Sequence, residues 1–366
     1  MRKIFWRLHS LAGLFAGVGL LLLGLTGSLL VFHEEIDLLL SPETLIVEPT
    51  TEGRLPLNDL VAAVEEEVPD HSVTGWRLHR ENPRLADGVY VMPHGTREWH
   101  LLTVDPYRAE VLMDPKLSED SLASWLLELH TSLFLGHFGE ALAGILGVAL
   151  CFLGLSGLWL YRRFWKSLLR LRFGASWRLM TGDFHRLVGV WSVGFNLLLG
   201  FTGAYWSLSH TFEDLFFPHE EVEEVLFYEK LFPASINLES LMAEAGDHVP
   251  GFETNYISFP WEPEGRFTLW GKPDDAAWVR SRYGSQVAFD ATTGGFLSSY
   301  DLRDESWWAW VEDSFEPLHF GDFGGIWSKI PWAIAGLSPG LLCISGMSIW
   351  WSRRKGKRAG KKKVSR

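Results

Sequence analysis

Residues 9–27 read HSLAGLFAGVGLLLLGLTG, and residues 185–203 read HRLVGVWSVGFNLLLGFTG. At an offset of 176, His9 falls on His185, Gly13 on Gly189, Gly24 on Gly200, Thr26 on Thr202 and Gly27 on Gly203. A second pair of segments matches at an offset of 189. There Leu129-His130 falls on Leu318-His319, Gly136 on Gly325 and Ser156-Gly157 on Ser345-Gly346. Neither match needs a gap. The chain is therefore read as two halves, each a span, an outer loop and a span, repeated in parallel orientation. Such halves are expected to be related by an axis along the membrane normal.

The spans follow from composition. Residues 11–32, 138–161, 187–208 and 330–351 are apolar runs with almost no charge. Each is long enough to cross a hydrocarbon core of about 30 Å. A chain of 366 residues that is 47% hydrophobic and 21% charged could otherwise pass for a soluble protein of one to three domains. The runs exclude a simple soluble enzyme, a fibrous chain and a disordered one. No CxxCH, paired CxxC, GxGxxG or GxxxxGK[ST] pattern occurs. Cys151 and Cys343 lie in apolar runs, which argues against a disulfide framework.

Charge segregation orients the spans. Residues 34–128 hold 20 acids against 7 Lys and Arg, and residues 211–316 hold 22 against 6. The basic residues gather at Arg2, Lys3 and Arg7, along 162–186, and in a tail from Arg353 to Arg366. The positive-inside rule makes those three pieces cytoplasmic and the two acidic loops external. The expected fold is a membrane α-helical bundle of four transmembrane helices, internally duplicated 2+2, with two α+β outer domains. The expected boundaries are span 1 at 1–33, the first outer domain at 34–124, span 2 at 125–162 and a basic cytoplasmic loop at 163–184. Span 3 follows at 185–210, the second outer domain at 211–316, span 4 at 317–352 and a cytoplasmic tail at 353–366. The first span is read as a retained signal anchor, because no A-x-A cleavage site follows it.

The outer loops repeat a pattern. Residues 56–69 and 236–250 read as amphipathic helices. Strand-like runs follow at 73–79, 88–93 and 98–104, and at 254–260, 266–271 and 277–289. Hairpin signals stand at Asp105-Pro106-Tyr107-Arg108 and at 290–295. A helix with a short antiparallel sheet is expected in each loop.

Histidine carries the chemical signal. Of 13 His, seven lie at or near span ends: His9, His33, His130, His137, His185, His210 and His319. An ionisable residue at membrane depth is by default a functional candidate. His9 and His185 are symmetry mates at the cytoplasmic ends, and His130 and His319 at the outer ends. Two facing histidines at one depth suit the axial sites of a haem iron. Small residues one and two turns from His9 (Ala12, Gly13, Ala16) and from His185 (Val188, Gly189, Ser192) leave room for a flat ring or serve as ordinary small-residue helix contacts. The outer assignment stays open. His137 is expected two turns from His130 on the same face, and His33 with His210 offers another pair. His9 to His33 is 24 residues, about 36 Å of helix, and His130 is expected further out still. His71, His79, His94 and His100 are expected to be surface or hairpin residues.

The motifs His9-Ser10-Leu11-Ala12-Gly13 with Gly24-Leu25-Thr26-Gly27, Leu129-His130-Thr131-Ser132, and Ser156-Gly157 before Trp159-Leu160-Tyr161-Arg162 resemble the PepSY-associated transmembrane family. The resemblance covers residues 5–354, and the outer loops resemble PepSY domains. Within the family the likeness is to inner-membrane ferric-siderophore reductases of the FoxB type. It implies b-type haem, two groups held by His9, His185, His130 and His319, and electron transfer across the bacterial inner membrane to Fe(III) on a periplasmic siderophore. The chain departs from strict repetition in span 4, where Asp322 falls on Leu133 and Leu-His-Phe-Gly replaces Leu-His-Thr-Ser. Besides the siderophore and the lipid bilayer, the expected partner is a cytoplasmic or quinol electron donor, since the inner loop is too short for a flavin or nicotinamide domain. No nucleic-acid partner is expected. Aromatic loop residues (Trp261, Trp270, Trp278, Trp307, Trp308 and Trp310) are candidates for the siderophore surface, for domain core or for an interfacial belt. The alternative function is a non-redox sensor or regulator of a partner protein or protease. A transporter ranks third, because four spans without broken helices or midplane charges make a poor translocation path.

Overall fold

The computed structural model describes residues 1–163, 171–173, 176–217, 230–262 and 265–364, with side chains to 354. Much of the basic loop predicted between spans 2 and 3, including Lys166 and Arg170, lies outside the described residues, as do the side chains of the basic tail beyond Arg354. The chain divides into two compact units. One contains Met1–His33, Trp125–His219 and Leu318–Arg366, and the other Glu34–Ser124 and Glu220–Pro317.

In chain order the first elements are α1 (Arg2–Leu30), α2 (His33–Leu40), α3 (Pro42–Leu45), α4 (Leu57–Glu67), β1 (His71–Arg77), β2 (Asp87–Pro93), β3 (His100–Asp105) and β4 (Glu110–Leu117). Then come α5 (Leu122–Thr131), α6 (Gly136–Leu160), α7 (Trp177–Trp191), α8 (Val193–Phe216) and α9 (Leu238–His248). The chain continues with β5 (Phe252–Ser258), β6 (Arg266–Pro273), β7 (Ser285–Asp290), β8 (Phe296–Tyr300), α10 (Trp307–Asp313), α11 (Phe315–Phe320), α12 (Ile326–Gly336) and α13 (Ser338–Val364).

In the helical unit, α1, α6 and the stretch Ile326–Arg354 are long and apolar enough to cross a membrane. The pair α7 and α8 adds a fourth span if it is counted as one. α6 packs on α1 and α8, and α13 packs on α1 and α7, so α6 and α13 each stand between α1 and the α7–α8 pair. Glycine permits two close crossings. A Cβ at Gly147 would stand 2.7 Å from the Gly200 carbonyl, and one at Gly24 would stand 2.6 Å from the Gly336 carbonyl. The predicted unbroken spans are corrected here: α7 and α8 meet at Ser192 with a bend of 62°. Ser192 Oγ donates back to the Val188 carbonyl (2.8 Å) and accepts from Asn196 Nδ2 (3.0 Å). Such side-chain bonding competes with the helix ladder and bends it. Lys329, one residue before the predicted apolar run 330–351, is buried in α12.

The second unit is one eight-stranded antiparallel sheet in the order β4-β3-β2-β1-β5-β6-β7-β8. The two short sheets predicted from the loops join where β1 pairs with β5 (Trp76 opposite Ile257). The predicted helices form as α4 and α9. They lay Leu60, Val64, Leu238 and Ala245 into a core with Trp76, Leu102, Phe267 and Phe289. Asn58 links the helices, donating to the Ile236 carbonyl (2.7 Å) and accepting from the Leu238 amide (2.8 Å). The outer strands β4 and β8 were not predicted; their side chains are mostly exposed or half-buried, so they show no core-facing alternation. The predicted run 277–289 contains only β7, and the chain before it is a loop held by Asn255 Nδ2 on the Arg282 carbonyl (2.8 Å).

Asp87 is the buried polar centre of the first half. It pairs with Arg54 and accepts from Trp76 Nε1 (2.8 Å) and the His79 amide (3.2 Å). Asp87→Ala strands these donors and should cost about 3 kcal/mol. Pulse proteolysis of the full chain should show earlier cleavage within 34–124, with the helical fragments resistant as before.

Candidate functional site

Four histidines meet in the helical unit as two pairs. The His9 and His185 ring centres are 6.5 Å apart with planes at 90°, and those of His130 and His319 are 6.3 Å apart at 67°. Two imidazoles on opposite sides of one metal require two metal–nitrogen bonds of about 2.0 Å plus about 1.1 Å from each nitrogen to its ring centre, or about 6.2 Å in all. Two imidazoles at a tetrahedral angle would stand only about 5 Å apart. Both pairs therefore have a ring spacing that would suit two imidazoles on opposite sides of one metal ion, so His9 with His185, and His130 with His319, could each hold a haem iron.

Each ring is held by a hydroxyl on another helix. His9 Nδ1 lies 2.8 Å from Ser156 Oγ, and His185 Nδ1 lies 2.9 Å from Ser345 Oγ. His130 Nδ1 lies 3.0 Å from Thr26 Oγ1, and His319 Nδ1 lies 2.6 Å from Thr202 Oγ1. The bonding is reciprocal: the segment that supplies His9 also supplies Thr26, and the one that receives His9 supplies His130. Each hydroxyl also donates to its own helix. Thr26 reaches the Leu22 carbonyl (2.8 Å), Thr202 that of Leu198 (2.9 Å), Ser345 that of Leu341 (2.7 Å) and Ser156 that of Leu153 (3.3 Å). A hydroxyl has one hydrogen. With that hydrogen on a carbonyl, its oxygen accepts from the imidazole, so Nδ1 carries the proton. The lone pair is then on Nε2, the tautomer a metal needs.

Glycine clears the space beside each ring. A Cβ at Gly27 would stand 2.8 Å from His130 Cε1. At Gly157, Gly203 and Gly346 the same atom would stand 3.4–3.5 Å from His9, His319 and His185. The small residues singled out beside the inner histidines do other work. Gly13 faces Leu153, Gly189 faces Leu342, and Ala16 is buried with Leu20, Leu146 and Leu150. These three make helix contacts, one of the two roles the sequence allowed.

The outer pair lies deeper than its position in the chain implies. Thr26 contacts His130, so that ring sits beside the last turns of α1, well inside His33. The predicted order is reversed because span 2 does not continue as one helix. Leu133 and Phe134 take positive φ values of 53° and 58°, α5 ends, and α6 restarts at Gly136. This break turns His130 back into the bundle. It also separates His130 from His137, which is not on the same helical face as predicted. His137 is exposed and its Nδ1 lies 3.1 Å from Asp214 Oδ2. His33 Nδ1 bonds the Leu30 carbonyl (3.0 Å), and His210 is exposed. Among the described residues neither is shown against a second histidine. From His9 to Thr26 is 17 residues of α1, so the two pairs are about 26 Å apart along the helix. Trp206 stands 5.3 Å from the His319 ring.

Sequence reasoning placed the four histidines but not the four hydroxyls. Their signal was available, because Thr26/Thr202 and Ser156/Ser345 recur at the same two offsets as the histidines.

A multi-span helical unit with paired histidines, together with a separate antiparallel sheet unit, defines a class of membrane protein. Residues 6–353 match the family described as PepSY-associated TM region, and the chain belongs to that family. An uncharacterized protein of Pseudomonas aeruginosa is 30% identical over 256 residues. The match covers 63% of each chain, so this chain spans less than two thirds of that relative.

Gly27→Ala should push the His130 ring off Thr26, whereas Gly157→Ala adds only an ordinary contact beside His9. If the two pairs each hold a haem, purified Gly27→Ala protein would retain about half the haem of the unaltered chain and Gly157→Ala nearly all of it, as measured by pyridine haemochrome absorbance.

Proposed function

We propose that the chain is a haem-containing oxidoreductase of the bacterial inner membrane that carries electrons across the bilayer and reduces Fe(III) bound to a siderophore in the periplasm. The reading adopts a four-span bundle duplicated 2+2, two PepSY-like halves in the outer sheet unit, and cytoplasmic chain ends. The observation that carries it is the trans spacing of both histidine pairs, each ring with its Nδ1 proton fixed by a hydroxyl.

His9 with His185 would hold an inner b-type haem, and His130 with His319 an outer one. When bound, haem supplies a one-electron centre whose potential follows its axial ligands, their hydrogen bonds and the surrounding polarity. The protein's own residues do the rest. Ser156, Ser345, Thr26 and Thr202 keep the four imidazoles neutral, oriented and basic at Nε2. All four imidazoles are half-buried in the bundle, and the separation of the pairs along α1 would put one site toward each membrane face. Trp206 adds an aromatic edge beside the outer pair. The reaction is Fe(III) + e⁻ → Fe(II). Siderophore oxygens hold Fe(III) more tightly than the softer Fe(II), so the electron alone loosens the complex. A cytoplasmic reductant or the quinol pool is the donor.

The test uses the full chain in proteoliposomes with reductant trapped inside, a ferric siderophore outside and an external ferrous chelator. The unaltered protein should generate ferrous chelate, and the His9→Ala/His185→Ala variant should slow this by about tenfold or more. Equal rates from the two proteins would overturn the reading.

A further inference from the structure

α6 and α8 pack against each other in antiparallel directions, and small residues let them close up. A Cβ at Gly147 would stand 3.0 Å from Ala204, and one at Gly144 would stand 2.8 Å from Leu208. Each turn toward the start of α6 is therefore a turn toward the end of α8. The next turn brings Glu140 and Asp214 together, with His137 beside them. His137 Nδ1 lies 3.1 Å from Asp214 Oδ2 and 3.9 Å from Glu140 Oε2. One ligand atom from each of the three residues lies within 4.8 Å of the other two. The group is separate from the histidine pairs. Asp214 lies 12 residues beyond Thr202 on α8, about 18 Å further along the helix.

We propose that His137, Glu140 and Asp214 form a binding site for a divalent transition-metal ion. A triangle with sides of 3.1, 3.9 and at most 4.8 Å has its centre about 2.0–2.4 Å from each corner, and zinc bonds to imidazole and carboxylate are about 2.0–2.2 Å. One ion therefore reaches all three ligand atoms with little adjustment. Charge points the same way. Among the described residues neither carboxylate has a lysine or arginine partner, and a protonated His137 would leave the pair one positive charge short. A divalent cation with a neutral imidazole balances both. The imidazole sets the class of ion. Magnesium and calcium take oxygen ligands, whereas zinc and ferrous iron accept nitrogen beside carboxylate. The ligands sit on two packed helices, which fixes them before the ion arrives, and the His137 side chain is 84% exposed, which leaves an entry path. The site stands on this geometry alone. That ferrous iron is its natural occupant rests on the reductase reading, since Fe(II) is that reaction's product.

The test is equilibrium dialysis of the full chain in detergent, purified without a histidine tag, against zinc with magnesium and calcium in excess. Bound zinc is counted by mass spectrometry and haem is measured on the same sample. His137→Gln, at a side chain too exposed to disturb the core, should bind one equivalent fewer than the unaltered chain with its haem content unchanged. Glu140→Gln and Asp214→Asn should each weaken that equivalent by at least about tenfold, the loss that even an outer-shell partner brings. In anaerobic dialysis ferrous iron should compete for the same equivalent. Equal zinc in the unaltered and His137→Gln proteins overturns the site whatever the haem content. A fall in haem with His137→Gln assigns the imidazole to haem and also overturns it. Zinc lost with His137 from a chain that takes up no haem leaves the site standing and removes the reductase reading.

Discussion

An imidazole inside a membrane bundle must find an acceptor for its ring N–H, because the hydrocarbon supplies none. The helical unit answers this for four histidines with one device, a serine or threonine hydroxyl whose hydrogen is already committed to its own helix. The committed hydroxyl can only accept, so it determines which imidazole nitrogen keeps a lone pair. Much of the rest follows from keeping these bonds. The hydroxyls must face the rings, so α1 and α6 must pack in register, and so must α13 and the α7–α8 pair. Of the four glycines next to Thr26, Thr202, Ser156 and Ser345, Gly27 is the one its ring requires, since a Cβ there would stand 2.8 Å from His130, whereas at the other three it would make an ordinary contact.

The two units solve different stability problems. The sheet unit buries apolar side chains between α4, α9 and the six inner strands, with Asp87 satisfied by three donors. The helical unit gains little from excluding water and relies on close backbone approach and interhelical hydrogen bonds. Its polar interior is correspondingly specific: Ser192, Asn196 and Ser338 bond one another at the bend of α7 and α8, where the matching part of α1 packs Ala16 and Leu20. The two halves are thus alike at the histidines and unlike between them.

Much of this was legible in the sequence. Apolar runs marked the spans because a bilayer demands about twenty such residues, and the amphipathic periods marked α4 and α9. The offsets of 176 and 189 contained all eight residues of the histidine sites. What sequence could not give was which helix faces which, so the histidines were matched with each other and not with their hydroxyls. The depth of His130 was missed because Leu133 and Phe134 adopt positive φ without a glycine to announce it. The pairing of β1 with β5 was missed because nothing local distinguishes a strand that ends a sheet from one that joins two. The meeting of His137 with Asp214 depends on how α6 packs against α8, which only the folded chain reveals.

The central proposal is that the four histidines would hold two haems, with the imidazoles oriented by hydroxyls. It is tested most directly by the haem-to-protein ratio of the purified full chain, taken with its dithionite-reduced spectrum. The account predicts a sharp b-type spectrum and a ratio near two. A protein that stays colourless after expression with ample haem would contradict it.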